Sequence, residues 1–87
     1  MNDSPIQAAV RRALAAVAPE ADLDTLPVGA SLRDELGLDS MDFLNFVIRL
    51  HDTLGVDIPE ADYGKLATFA GCVAYLEAKV GPASGRR

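Results

Sequence analysis

The chain is short of most of the residues that do chemistry by themselves. It has one histidine, one cysteine, no tryptophan and only five aromatic residues. A single Cys72 cannot close an internal disulfide, so an oxidising compartment is not implied. With His51 and Cys72 far apart, no metal-ligand spacing is present, and Asp57 and Asp62 lack the spacing of a calcium loop. No apolar run approaches the ~18 residues that a membrane helix needs. The start Met1-Asn2-Asp3-Ser4-Pro5 has neither the basic opening nor the apolar stretch of an export signal, which makes the cytoplasm the expected compartment. Scarce aromatics exclude a large aromatic core, leaving Leu, Val and Ala packing between helices.

What is present begins with size and charge. The 87 residues fill one domain, which buries only about 60–65% of its unfolded surface. The net charge of −5 is unevenly spread: from Arg33 to Asp62 there are eight acidic residues against two basic ones. Such a stretch repels nucleic-acid backbones and attracts basic protein surfaces.

Periodicity predicts an all-α fold, a bundle of three main helices plus a short one. Ser4, Pro5 and Gln7 form a capping box that opens a first helix, with Ile6, Val10, Ala13, Leu14 and Val17 on one stripe. Pro19 ends it. Residues 19–38 read as a long connection anchored by Leu23, Leu26, Val28, Leu32, Leu36 and Leu38, with a short turn capped by Ser31. The next helix runs from about Ser40 to Leu54, capped by Asp39 and stopped by Gly55. Leu44, Val47, Leu50 or His51, and Leu54 point toward a core. Phe43, Phe46 and Ile48 widen the apolar surface beyond what one packing face requires, so part of it faces a cavity or a partner. Pro59 opens a short helix through about Lys65. Thr68 caps the last, whose stripe is Phe69, Cys72, Val73, Leu76 and Val80, closed by Gly81-Pro82. The expected organisation is one domain over residues 1–82 and a disordered tail over 83–87.

The informative stretch is Leu36-Gly37-Leu38-Asp39-Ser40-Met41-Asp42, which sets one hydroxyl at the start of a helix between two carboxylates. A serine nucleophile needs a base within hydrogen-bond reach. His51 stands eleven residues on, about 16 Å along a helix axis, and there is no Gly-x-Ser-x-Gly elbow. Self-contained serine catalysis is excluded, and no catalytic residue is assigned. Spacing alone leaves two readings open: Ser40 as an ordinary helix cap, or Ser40 as a tether for a group that another enzyme supplies. A phosphate ester there would meet the free N–H groups and positive end of the helix.

The run Gly37-Leu38-Asp39-Ser40-Met41-Asp42 resembles the Gly-x-Asp-Ser-Leu/Met motif of acyl carrier proteins. The similarity continues through the apolar helix, Val56-Asp57-Ile58-Pro59, the Glu60–Leu66 segment, and Ala67-Thr68-Phe69 opening a helix to Tyr75-Leu76. It covers roughly residues 6–80. The resemblance implies a four-helix bundle that is not an enzyme. It implies that Ser40 takes a 4′-phosphopantetheine arm from coenzyme A, whose thiol carries an acyl group as a thioester. It implies a phosphopantetheinyl transferase, a loading ligase and downstream biosynthetic enzymes as partners of a free-standing monomer, with Asp39, Met41, Asp42, Ile48, Asp52 and Asp57 as partner-binding residues.

Asn45, Arg49, His51 and Thr53 stand where fatty-acid carriers carry acids, which implies a dedicated partner set. The Gly-Gly-x-Ser pattern of peptidyl carriers is absent. The Asp-Ser-Met form and the apolar helix make a fatty or polyketide acyl group the expected cargo. The alternatives are an aminoacyl or peptidyl carrier, and, in another class, an unmodified helical adaptor whose Ser40 merely caps. The residues expected to do nothing chemical are Cys72 as a buried filler, His51 as a surface residue, and Phe43 and Phe46 as core, while apolar lining beside them could shelter an acyl chain.

Overall fold

The computed structural model describes residues 4–80. Four α-helices follow one another: α1 (Pro5–Val17), α2 (Leu32–Leu36), α3 (Ser40–Leu54) and α4 (Phe69–Val80). Two 3₁₀ helices interrupt the connections, at Leu23–Thr25 and Glu60–Leu66. The three long helices and the second 3₁₀ helix make the all-α bundle that periodicity predicts. The short member is wound as 3₁₀, and a further 3₁₀ turn at Leu23–Thr25 lies within the stretch that reads as a connection. Gly81-Pro82 and the tail over 83–87 lie outside the described residues.

Local chemistry sets the helix ends. The Gln7 N–H donates to Ser4 Oγ at 3.1 Å, and the Ser4 N–H donates to Gln7 Oε1 at 2.9 Å, closing the capping box. Gly55 ends α3 in the left-handed region at φ 68°, with its N–H bonded to the His51 carbonyl. The Gly71 N–H reaches Thr68 Oγ1 at 2.9 Å, which caps α4.

One core joins these elements. Phe46, Leu14, Leu32, Leu50, Leu66, Leu76, Val10 and Cys72 are all but inaccessible, and no polar or charged side chain among the described residues is buried with them. Fully burying a ring such as Phe46 contributes about 1.5–3 kcal/mol. Helix α1 packs against α3 and α4, and α4 packs against the second 3₁₀ helix. Cys72 is the filler that its stripe implied, and burial pushes its thiol up to about 12.

The inward face of α3 differs from the expected stripe at one position: Val47, Leu50 and, in part, Leu54 turn inward as expected, but Phe43 takes the place of Leu44. Phe43, Phe46, Val47 and Leu50 are buried, whereas Leu44 and His51 are exposed. Both sets recur at helical spacing; the set that puts two aromatic rings inside is the one the fold uses. Phe43 and Phe46 lie 5.8 Å apart between centroids, and Phe43 meets Tyr63 edge-on at 6.2 Å.

The 19–38 connection is held partly by apolar anchors and partly by main chain. Leu32 and Leu38 are buried, and Leu23, Leu26 and Leu36 are partly so. Val28 is not an anchor: its side chain is exposed, and its carbonyl instead accepts the Ala70 N–H at 2.9 Å. The Leu32 N–H donates to the Ala67 carbonyl at 2.8 Å, and Ser31 bridges Thr68. These bonds tie α2 to the start of α4 and so fix where the following loop delivers α3.

Candidate functional site

The loop between α2 and α3 presents Ser40, and its shape follows from Gly37. That residue caps α2 at φ 66°, a left-handed conformation that glycine adopts without the Cβ penalty. The N–H groups of Gly37 and Leu38 both turn back onto the Arg33 carbonyl, the latter at 3.0 Å. Leu38 buries its side chain and pins the loop to the core, which leaves Asp39 and Ser40 outside.

Capping of α3 falls to Asp39, as its position suggested. Asp39 Oδ1 accepts the Asp42 N–H at 2.8 Å, and the Asp39 N–H donates to Asp42 Oδ2 at 3.3 Å. Ser40 is therefore the first helical residue, and its hydroxyl caps nothing. Its one hydrogen-bond contact among the described residues is with the Arg33 side chain, whose Nη2 lies 3.5 Å from Ser40 Oγ. Among the described residues no acceptor base is hydrogen-bonded to that hydroxyl. His51 Nδ1 pairs with the Val56 carbonyl at 2.8 Å, near the other end of α3. An exposed alcohol without a base is a poor reagent and a good acceptor for a group delivered by another enzyme.

Two openings flank this loop. One, about 470 Å³, lies between the end of α1 and the loop, lined by Val17, Pro19, Glu35, Gly37, Leu38 and Asp42 among others. The other, about 260 Å³, lies between α2, α3 and the second 3₁₀ helix, walled by Ser31, Arg33, Phe43, Tyr63, Gly64 and Ala67.

Comparison with known proteins decides the family. A family model described as a phosphopantetheine attachment site matches residues 8–76, most of the chain and all of the site. The chain belongs to the acyl carrier protein family. It is 36% identical to an acyl carrier protein of Exiguobacterium over 59 residues, 68% of this chain and 75% of that protein. It is 38% identical to one from Thermotoga maritima over 52 residues, 60% and 64% of the two chains. An acyl carrier protein of Lactobacillus acidophilus is 29% identical over 62 residues. The prosthetic group is accordingly 4′-phosphopantetheine, and the protein is a carrier and not an enzyme. The residues present fit such a group: an accessible hydroxyl free of capping, with a guanidinium within reach of its oxygen.

The carrier's other predicted residues fall into three places. Asp39 and Asp42 flank Ser40, with Asp39 exposed and Asp42 half-buried in the capping pair. Met41 and Ile48 are 64% and 46% exposed, so together with Leu44 they form an outward apolar stripe on α3. At 100° per residue, positions 41, 44, 45, 48 and 52 share this side, which brings Asp52 into line. Asp57 is not part of that group. It lies past the far end of α3, its carboxylate 3.9 Å from His51. Two features escaped sequence reading: Arg33 beside the serine, and the Tyr75 hydroxyl donating to Asp62 at 2.6 Å, which fastens the second 3₁₀ helix to α4. A faint signal for the first exists, since Arg33 is the one basic residue between Arg12 and Arg49.

Among the described residues no group of potential metal ligands comes together. No helix among them is long and apolar enough to cross a membrane.

Proposed function

We propose that Ser40 carries the phosphopantetheine arm and that residues 1–82 act as one carrier domain for fatty or polyketide acyl groups. The serine oxygen replaces the nucleotide half of coenzyme A at phosphorus, its proton leaving to a base of the transferase. The arm's thiol then binds an acyl group as a thioester and presents it to successive biosynthetic enzymes. Asp39, Met41, Asp42, Ile48 and Asp52 serve as the main partner-binding residues, with Asp57, past the far end of α3, an outlying and weaker one. Weak, steered binding suits a shuttle that must release each partner quickly.

One observation supports this reading above the others: Asp39 does the capping, so the Ser40 hydroxyl is exposed and spare. An adaptor whose serine merely capped α3 would spend that hydroxyl on a main-chain N–H. The test is incubation with coenzyme A and a phosphopantetheinyl transferase, followed by intact mass measurement. A gain of one phosphopantetheine is expected, and Ser40→Ala should abolish it. A wild-type chain that stays unmodified, or a gain that survives Ser40→Ala, overturns the assignment. Loading the product with acyl or aminoacyl ligases in parallel then identifies the cargo class.

A further inference from the structure

We propose that Arg33 is a positioning residue for the prosthetic arm, its guanidinium holding the phosphodiester formed on Ser40. The inference rests on the reading that Ser40 bears the arm, and goes beyond it by naming what fixes the arm's first charged group.

Three observations carry it. First, Arg33 Nη2 already stands 3.5 Å from Ser40 Oγ. When that oxygen becomes an ester oxygen, the two non-bridging phosphate oxygens, which share one negative charge, lie two bonds beyond it, within reach of a planar fork of N–H donors. Arginine is the side chain best suited to engage a phosphate at two oxygens at once. Second, the guanidinium is supported from beneath. Its Cζ lies 5.9 Å from the ring centroid of Phe43, a buried residue on the first turn of α3, so the exposed head group has a fixed ring face beside it. Third, the main chain of Arg33 is tied to the serine loop. Its carbonyl accepts the N–H groups of both Gly37 and Leu38, so the two sides of the contact are built on one folded turn.

Charge explains why such a residue is needed. A phosphodiester adds a negative charge beside Asp34, Glu35, Asp39 and Asp42. Arg33 is the sole basic residue from position 33 to 42, and it has no ion-pair partner among the described residues. An uncommitted cation seven residues before the modified serine compensates the charge that modification brings. The arm's root is then held while its thiol end remains free to reach a partner enzyme.

The test uses the full chain loaded with phosphopantetheine, loading and its position being checked first by intact mass and by Ser40→Ala. Failure there sinks the tether reading and this inference with it. On fully loaded protein, the ³¹P resonance of the phosphodiester and the ¹H–¹⁵N resonance of Arg33 Nε are then recorded. Loading should shift the Arg33 Nε resonance. The ³¹P resonance should be shifted and broadened relative to loaded Arg33→Gln, while Arg33→Lys should retain part of the shift. The difference between wild type and Arg33→Gln should collapse toward 1 M salt, where the screening length is only about 3 Å. Identical ³¹P shift and linewidth in wild type and Arg33→Gln, on protein proven to be loaded, would overturn the inference while leaving the tether intact. If Arg33→Gln resists loading, the apo-to-loaded comparison of the Arg33 resonance in wild type decides alone: no movement defeats the proposal.

Discussion

Asp39 and Asp42 hold each other's main chain across the first turn of α3, at 2.8 Å in one direction and 3.3 Å in the other. The arrangement has two consequences for the residue between them. It satisfies the Asp42 N–H and the Asp39 N–H without calling on Ser40, and it turns the Asp42 carboxylate back toward the chain. The acids that flank the serine in sequence are therefore unequal. Both give one oxygen to the main chain, but Asp39 is exposed and Asp42 half-buried.

Removing the cap should cost stability that a neutral amide restores. Asp39→Ala leaves the Asp42 N–H without its acceptor, and losing an N-cap costs about 1 kcal/mol. In a domain of this size that is a fall of roughly 4–8 °C in melting temperature. Asp39→Asn keeps an acceptor at the same position and should recover most of the loss. Urea denaturation of the three proteins checks this; equal stability of the alanine and asparagine variants would refute the capping role.

The features that could be read in advance are local ones. Ser4 and Gln7 announce α1 because a capping box closes within three residues, and Asp39, Gly55 and Thr68 mark their helix ends for the same reason. The inward face of α3 is less legible, since positions 43 and 44 both fit a stripe through Val47 and Leu50; packing against α1 goes with the choice of Phe43. The order in residues 19–38 depends on main-chain bonds from Val28 and Leu32 to residues 67–70, and no pattern of side chains reveals these. Arg33 reaches Ser40 only because Gly37 folds the intervening turn into the left-handed region. The Tyr75 and Asp62 pair joins elements thirteen residues apart, at a spacing with no helical or strand meaning.

That last pair should give stability a pH signature. The Tyr75 hydrogen bond first, then the nearby Lys65 and Lys79, hold the Asp62 carboxyl below its ordinary 3.8. A depressed carboxyl stabilises the fold above its unfolded value and loses that contribution as the pH falls through the folded one. Burial, and then Asp62 itself, push the Tyr75 hydroxyl from 10.0 up to about 12. A raised phenol works the other way: its contribution is complete below 10.0 and is lost as the pH rises toward about 12. Tyr75→Phe should therefore be less stable than wild type near neutrality. The gap should narrow below 3.8 and again above 10.0. Melting curves across that range measure it; a gap independent of pH would mean that the hydroxyl contributes through packing alone.

Association with partner enzymes should separate into two terms, one for each kind of residue on α3. The acidic surface acts at a distance, so it governs how quickly a basic partner arrives, and salt should slow that arrival as the screening length contracts from about 10 Å at 0.1 M to about 3 Å at 1 M. Met41 and Ile48 act only on contact, because an exposed side chain gains from leaving water once a partner covers it. Truncating either to alanine should remove on the order of 1 kcal/mol, about a fivefold faster dissociation, with the association rate nearly unchanged. Asp52→Asn, on the same side of the helix, should do the reverse by lowering the association rate and its salt dependence. Asp57→Asn is the internal control, since it lies past the far end of α3 beside His51 and should matter less to an enzyme engaged at Ser40. Stopped-flow or surface-based kinetics with the transferase resolve the two rates. If Met41→Ala changes only the association rate, the outward stripe is not in the contact, and the acidic residues alone define how this carrier is read.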